Sequence, residues 1–242
     1  MDVCTSAIKK DRRSSVISLK FQCPICHEEL QENNSNVACT YCGKVEHAEW
    51  LCPNKHFVCE ACRLAEPEEI TLRVCNNTKS KDPFELANLI MHHPTFREHG
   101  KEHHLIVAPV IITALKNAGQ ITIDTRRNKI AIRRAKEMPY GICGSRGDCG
   151  AAVGVGIAIS IITRATYLSN KERSLTIEAT GRSLIDLAKR GGPRCCKESV
   201  YSSIQSALKF LNEKEMIHFS EPVWKCEFKD MEGCKKEDCN YY

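Results

Sequence analysis

The sequence predicts a mainly α-helical protein that begins with a small module binding two zinc ions. Closely spaced cysteine and histidine pairs crowd residues 21–64, whereas apolar residues recur at helical spacing through residues 83–218. We expect the module to be of the zinc-ribbon, treble-clef or RING-like type, and the domain after it to be all-helical. The remaining segments are predicted to be a flexible arm (1–20), a linker or connecting helix (65–82) and a cysteine-containing tail (219–242).

The cysteine content restricts the setting in which the protein works. The chain has 16 cysteines in 242 residues and a formal net charge of +5, and its start lacks the apolar core of a signal peptide. In a reducing compartment such a density indicates metal ligands or redox thiols rather than structural disulfides. We therefore expect a cytoplasmic protein. The apolar run at 151–162 is too short and too rich in glycine to span a bilayer, so no membrane partner is expected.

Four ligand pairs define the predicted zinc module. A tight turn lets both members of a C-x2-C pair reach one ion at about 2.3 Å, and four pairs make two four-coordinate sites. The segment is too short to build a core of its own, so metal binding should supply much of its folding free energy. The pairs are Cys23 with Cys26, Cys39 with Cys42, Cys52 with His56, and Cys59 with Cys62.

The spacing leaves the combination of these pairs open. A cross-brace joins the first pair to the third and the second to the fourth, whereas nested or sequential pairings use the same ligands, and His47 is a candidate to replace one of them. The string His56-x2-Cys59-x2-Cys62 resembles the centre of a RING-type finger. Three residues separate Cys52 from His56, where a RING finger has one, and this departure argues against ubiquitin-ligase activity.

A histidine cluster follows the first predicted helix of the second domain. His99, Glu102 and His103 match the H-x-x-E-H pattern of inverted zincins, in which both histidines bind a metal from one face of a helix and the glutamate acts as general base. His104 is a further candidate metal ligand. Gly100 weakens the helix that the pattern requires.

Two further cysteine pairs stand at predicted helix starts. Cys143 and Cys149 lie in a glycine-rich loop before an apolar helix, and Cys195 and Cys196 lie between Arg194 and Lys197. Helix N-termini and neighbouring cations favour an anion, so we expect these thiols to be held as thiolates, with Cys149 and Cys195 as reactive groups. The four cysteines are predicted to form one site, which holds an iron–sulfur cluster or zinc or works as a thiol/disulfide relay.

Three motifs in this region resemble those of an uncharacterised cysteine-rich domain of methanogenic archaea and other anaerobes. They are H-G-x-E-H-H at 99–104, C-G-x-x-G-x-C-G-A-A from Cys143 to Ala152, and G-P-R-C-C-K at 192–197. The likeness covers roughly residues 83–215. Asp148 to Ala152 also echoes the redox proteins named for a C-GCAxxG-C-C pattern. The resemblance implies a helical domain in an anaerobe, where low-potential metal centres survive, and it implies no particular reaction.

Three functions are consistent with these patterns. The first is a metal-binding protein with a Cys/His metal or redox site in its helical domain and an unknown redox or protein partner. The second is a zinc-finger adaptor for protein or nucleic acid, with the basic helix predicted at 125–137 as its contact surface. The third is a metal-dependent hydrolase using His99, Glu102 and His103. A further metal site or redox pair is expected in the tail, at Cys226, Cys234 and Cys239.

Overall fold

The computed structural model describes residues 21–192, 194–220 and 223–242, and it is mainly helical, as the sequence predicts. The arm predicted for residues 1–20 lies outside the described residues. Short 3-10 helices occur at Lys101–Leu105 and Lys236–Asp238. The other elements are β1 (Gln31–Ala38), β2 (Val45–Leu51), α1 (Glu60–Arg63), α2 (Pro67–Asn77), α3 (Pro83–Met91), α4 (Val107–Asn117), α5 (Arg126–Lys136), α6 (Ile142–Ser145), α7 (Gly150–Thr163), α8 (Lys171–Arg190) and α9 (Cys196–Glu213).

The N-terminal module is built on one antiparallel hairpin. Strands β1 and β2 pair from Gln31 with Leu51 to Ala38 with Val45, and the register is irregular between Glu32 and Ser35. Most of the hairpin's side chains are exposed or half-buried, so the strands contribute little to a core. The described part of the module therefore depends on its cysteines for cohesion.

The segment predicted as a linker or connecting helix forms a packed helix, α2. Pro67 occupies the first helical turn, and a capping box joins Glu66 to Glu69. Ile70 and Val74 are buried in the core that α2 shares with the helices after it. The segment thus fixes the module to the helical domain instead of separating the two.

Helix α7 occupies the centre of the helical domain. It packs against α4, α5, α8 and α9 and is apolar on nearly every face, which is the pattern of a fully buried helix. A Cβ on Gly156 would collide with Thr180 Oγ1 of α8, so glycine is what lets these two helices approach so closely. Among helices in the described ranges, none combines the length and apolar character needed to cross a bilayer.

The C-terminal tail folds back onto α3 and α9. Trp224 stacks on Phe84 with ring centroids 6.1 Å apart, and Tyr241 contacts Tyr201 at 5.4 Å. Lys235 Nζ, which is buried, lies 2.9 Å from a carboxylate oxygen of Glu198. These contacts place the tail cysteines against the start of α9.

Two glycine-to-alanine variants test the packing of α7 on α8. Gly156→Ala should lower the free energy of unfolding by about 1–3 kcal/mol, because the new methyl group overpacks the interface. Gly181→Ala, on α8, should raise it by about 0.5–1 kcal/mol, because no atom lies within 4 Å of the new Cβ and alanine is the better helix former. Urea unfolding of zinc-loaded protein measures both. Equal effects of the two changes would contradict the close approach of the helices.

Candidate metal and thiol sites

The eight predicted zinc ligands form two compact groups. One group contains Cys23, Cys26, Cys52 and His56, and the other contains Cys39, Cys42, Cys59 and Cys62. Within each group every pair of potential ligand atoms lies within 4.8 Å. The first ligand pair has joined the third and the second has joined the fourth, which is the cross-brace alternative. His47 lies in neither group: its Nε2 is 2.8 Å from Asn34 Oδ1.

The distances within both groups suit a single tetrahedral ion. Cys26 Sγ lies 3.3 Å from Cys52 Sγ, and Cys42 Sγ lies 3.7 Å from Cys59 Sγ. A metal bound at about 2.3 Å to each sulfur requires tetrahedral edges of roughly 3.8 Å. The donor sets, three sulfurs with one imidazole and four sulfurs, are those that zinc prefers in structural sites. The residues present therefore fit the ion.

Sharp turns bring the ligands of the first group together. His27 and Lys55 adopt left-handed backbone conformations, with φ of 60° and 63°, directly after Cys26 and directly before His56. Backbone N–H groups point at the sulfurs two residues earlier: Ile25 N lies 3.4 Å from Cys23 Sγ, and Asn54 N lies 3.3 Å from Cys52 Sγ. An N–H that donates to sulfur stabilises the thiolate form that binds metal.

The thiols of these groups differ in proton affinity. Burial raises the pKa of Cys23 to about 11 and raises the pKa of Cys62 as well. Burial also opposes ionisation of Cys26, but the Glu28 N–H and the Asn54 side chain prevail and lower its pKa to about 6. Thiols with a raised pKa bind a metal ion only with release of their protons, so zinc affinity in this module should increase with pH.

The second group contacts the helical domain directly. Arg73 of α2 places Nη1 3.3 Å from Cys62 Sγ and 2.7 Å from the Ala61 carbonyl oxygen. His93 Nε2 lies 2.8 Å from the Cys62 carbonyl oxygen, and the His93 ring meets Tyr41 edge-on at 5.3 Å. Spacing in the sequence gave no indication of these contacts, because Arg73 belongs to no metal-binding pattern and the sequence groups His93 with the histidines that follow it and not with Cys62.

A cavity of about 720 Å³ in the helical domain is lined by all three cysteine and histidine motifs. This volume is typical of pockets that bind small molecules. Both cysteine pairs at helix starts line this one cavity. The motif residues around it are His103, His104, Cys143, Cys149, Arg194, Cys195 and Cys196.

Cys149 and Cys196 occupy two helix starts beside this cavity. Cys149 is the N-cap of α7, and Cys196 is the first residue of α9. A thiolate at Cys149 is close enough to act on the charge of Cys196, as is the Arg194 guanidinium. Gly150 faces the His104 ring so closely that any Cβ would overlap it, which explains why glycine follows Cys149.

Burial reverses the expected effect of the cations on the second cysteine pair. Withdrawal from water raises the pKa of both Cys195 and Cys196, although the Glu198 and Lys197 N–H groups act against the shift at Cys195, and the Gly100 N–H and Arg194 act against it at Cys196. For Cys195 and Cys196 the prediction that neighbouring cations hold them as thiolates is wrong, because the sequence shows neighbouring charges but not the depth at which a side chain lies.

The histidine motif does not form the helix that the inverted-zincin pattern requires. Gly100 is extended, and the 3-10 helix begins only at Lys101, so His99 and His103 do not share a helix face. Glu102 is buried and accepts hydrogen bonds from the backbone N and Nε of Arg97 at 3.2 and 3.4 Å. Both contacts go to Oε1 of the carboxylate that a hydrolase would use as its base.

His103, beside the cavity, nevertheless has an unused acceptor. Its side chain is 1% exposed, its Nδ1 lies 3.2 Å from the Gly100 carbonyl oxygen, and its Nε2 has no hydrogen-bond partner among the described residues. Burial lowers the pKa of His103 to about 3, so the ring is neutral and Nε2 carries a lone pair at physiological pH.

The cavity residues do not form a compact single-ion site. Within the described ranges, the groups that bring three or more potential ligand atoms within 4.8 Å are the two in the N-terminal module. Metal binding by His99, His103 and His104, and by the set of Cys143, Cys149, Cys195 and Cys196, stays a prediction.

Comparisons with known proteins assign the chain to a family. Neither the curated proteins nor the solved structures contain a match to this chain. The model of a family of unknown function, DUF5714, matches residues 71–242, a range that includes α2 from Thr71 onward, the thiol-lined cavity and the tail but leaves out the paired zinc ligands. The chain therefore belongs to the DUF5714 family of unknown function.

Proposed function

We propose that the protein is a zinc-stabilised thiol oxidoreductase of a reducing compartment such as the cytoplasm. Two zinc ions bind in the N-terminal module, and Cys149 and Cys196 form a redox-active dithiol in the cavity. The observation that carries the redox function is the convergence of two thiols, from helix starts far apart in the sequence, on one open cavity beside Arg194. All fifteen cysteines of the described residues are free, as a reducing compartment requires.

Zinc has a structural role in this proposal. Both ligand groups consist of four protein donors, which leaves no open position for a substrate or a water molecule. The ions hold a hairpin and a four-residue helix that share few apolar side chains, and through Cys62 they hold the module on Arg73 and His93. Bound zinc supplies Lewis acidity and positive charge, which here stabilise thiolates and not a reaction intermediate.

The dithiol would work by thiol–disulfide exchange. The Cys149 thiolate, at the positive end of the 14-residue helix α7, attacks one sulfur of a substrate disulfide and displaces the other sulfur as a thiolate. The Cys196 thiol loses its proton to the displaced thiolate and attacks Cys149 Sγ, which breaks the mixed disulfide and releases the second substrate sulfur as a thiolate that takes a proton from water. The protein gains one disulfide, and the substrate gains two electrons and two protons, one from Cys196 and one from the solvent that received the proton of Cys149. A reductant of the same thiol class must then restore the dithiol.

The unequal environments of the two cysteines support this order. A raised pKa makes Cys196 a poor first nucleophile in solution but a suitable resolving thiol, because it needs to ionise only after the mixed disulfide has formed next to it. The cavity is large enough for a small disulfide or for an extended peptide segment carrying one.

A second candidate function is the zinc-finger adaptor, and one surface feature favours it. Phe21 and Trp50 are both exposed and lie side by side on the module, with ring centroids 5.5 Å apart. Exposed aromatic pairs are frequent at protein–protein contacts. The predicted basic helix forms α5, whose Arg127, Lys129 and Arg133 side chains are exposed and are compatible with an anionic partner.

Metal content tests the zinc module. Purified protein should contain two zinc ions, and Cys26→Ser should retain one, because one thiolate of the first group is lost while the second group is intact. Cys75→Ser is the matched control, since Cys75 is a buried cysteine outside both groups, and it should keep two ions. Elemental analysis after gel filtration measures the ratio. Two ions in Cys26→Ser would show that the first group is not a zinc site.

Disulfide mapping tests the dithiol. After mild oxidation of zinc-loaded protein by a small disulfide, peptide mass spectrometry should find a bond between Cys149 and Cys196. Cys143→Ser should retain this bond, whereas Cys149→Ser and Cys196→Ser should lose it and accumulate a mixed disulfide at the remaining partner. If no disulfide forms between Cys149 and Cys196 while the zinc content is unchanged, the oxidoreductase proposal fails and the adaptor hypothesis is favoured.

The pH dependence of alkylation tests the environment of Cys196. Because burial raises its pKa, the thiol is protonated at pH 7, and its alkylation rate should increase about tenfold per pH unit until the pH reaches that raised pKa. Arg194→Gln removes a charge that favours the thiolate, so its rate at pH 8 should be lower than that of the unchanged protein. Residue-resolved mass spectrometry with iodoacetamide follows the reaction. A rate independent of pH above 7 would contradict the burial of this thiol.

A further inference from the structure

A second, smaller cavity separates the start of α9 from the C-terminal tail. Four cysteines from both segments line it: Cys195, Cys226, Cys234 and Cys239. The cavity has a volume of about 20 Å³, and the rest of its wall consists mainly of aromatic and lysine side chains. Cys195 also borders the larger cavity, whereas Cys196 lines only the larger one.

The four thiols share a backbone arrangement with the zinc groups of the same chain. In the N-terminal module the N–H two residues after Cys23 and after Cys52 points at the ligand sulfur. In the tail, Phe228 N lies 3.4 Å from Cys226 Sγ, and Lys236 N lies 3.4 Å from Cys234 Sγ, again two residues on. Glu198 N lies 3.4 Å from Cys195 Sγ, and the Tyr241 N–H donates a hydrogen bond to the Cys239 sulfur. A backbone N–H that donates to sulfur stabilises the thiolate form that binds a metal.

The charges around the small cavity favour an anionic ligand. Lys197 is 4% exposed, its ammonium donates to the Arg97 carbonyl oxygen at 3.1 Å and lies 4.8 Å from the centre of the Phe228 ring. Among the described residues no carboxylate lies within 4 Å of it, whereas the other buried lysine here, Lys235, is paired with Glu198. A buried cation without a carboxylate partner in contact needs negative charge nearby, and the groups close enough to act on Lys197 are Cys195, Cys196 and Cys226, when ionised, and Glu98.

The sulfurs around the small cavity are less tightly grouped than those of the two zinc groups. The same structure forms two single-ion groups with ligand atoms within 4.8 Å, but no three of the tail thiols come this close. Thiolates around an iron–sulfur cluster stand farther apart than those around a single ion, because the iron and sulfide atoms of the cluster lie between them. Four thiolates outweigh the positive charge of the cluster core, so a loaded site would be anionic beside Lys197.

We infer that Cys195, Cys226, Cys234 and Cys239 ligate an iron–sulfur cluster between the start of α9 and the C-terminal tail. This site is distinct from the Cys149–Cys196 dithiol and does not depend on it. Aromatic rings of Tyr201, Phe228 and Tyr241 shield it, and shielding from water favours the persistence of such clusters. The cluster would be a one-electron centre, with its electrons exchanged by an external carrier.

The adjacent cysteines at 195 and 196 provide the sharpest test. Full-length protein is purified without oxygen and reconstituted with ferrous iron and sulfide, and iron, acid-labile sulfide, zinc and visible absorbance are measured. Cys196→Ser should bind as much iron and as much sulfide as the unchanged protein, and both proteins should show a broad visible absorbance band. Cys195→Ser and Cys234→Ser should bind about tenfold less iron, because each loses a cluster ligand.

Zinc content and far-ultraviolet circular dichroism show whether each variant folds. All variants should keep the two zinc ions of the N-terminal module, so a loss of iron with zinc retained locates the defect in the tail site. The inference is overturned if unchanged protein takes up no iron, or if Cys196→Ser loses iron as Cys195→Ser does. It is also overturned if a third zinc ion, removed by Cys234→Ser, occupies the site instead of iron.

Discussion

The close packing of α7 against its neighbours is the constraint on which the thiol cavity depends. Glycine at 156 lets α7 approach α8, and glycine at 150 lets its first turn approach the His104 ring. Because α7 is buried on nearly every face, its start cannot move independently of the helices around it. Cys149, as the N-cap, therefore has a fixed position relative to Cys196 at the start of α9, which is what the proposed dithiol would require.

Metal ions in the two ligand groups would do for the N-terminal module what apolar packing does for the helical domain. The hairpin buries few side chains, so the bound ions would supply the cross-links that hold its turns in place. Cys62 contacts Arg73 of α2 and His93 in the segment after α3, so the module is also held against the helical domain. Removal of the metal should thus disturb the adjacent face of the helical domain and not only the module.

The sequence predicted the helices and the ligand pairs better than it predicted their combinations. Periodicity and caps located α3 and α7, because these signals are local: Asp82, for example, accepts from Phe84 N at 2.8 Å, as a cap does. The cross-brace remained open, since spacing alone does not say how a hairpin folds across its neighbours. The sequence also does not show how deeply a side chain is buried. The cations beside Cys195 and Cys196 therefore suggested a lowered pKa, whereas burial raises the pKa of both thiols.

Adjacent cysteines cannot easily serve one site, because neighbouring side chains at a helix start point in different directions. In this fold, Cys195 and Cys196 have different surroundings. Cys195, the N-cap of α9, accepts from Glu198 N and borders the tail cavity, whereas Cys196 borders only the larger cavity. One peptide unit therefore joins the proposed cluster to the proposed dithiol. A ligand bond at Cys195 would hold the first turn of α9 in place, and with it the sulfur of Cys196 and the charge of Arg194 beside the larger cavity.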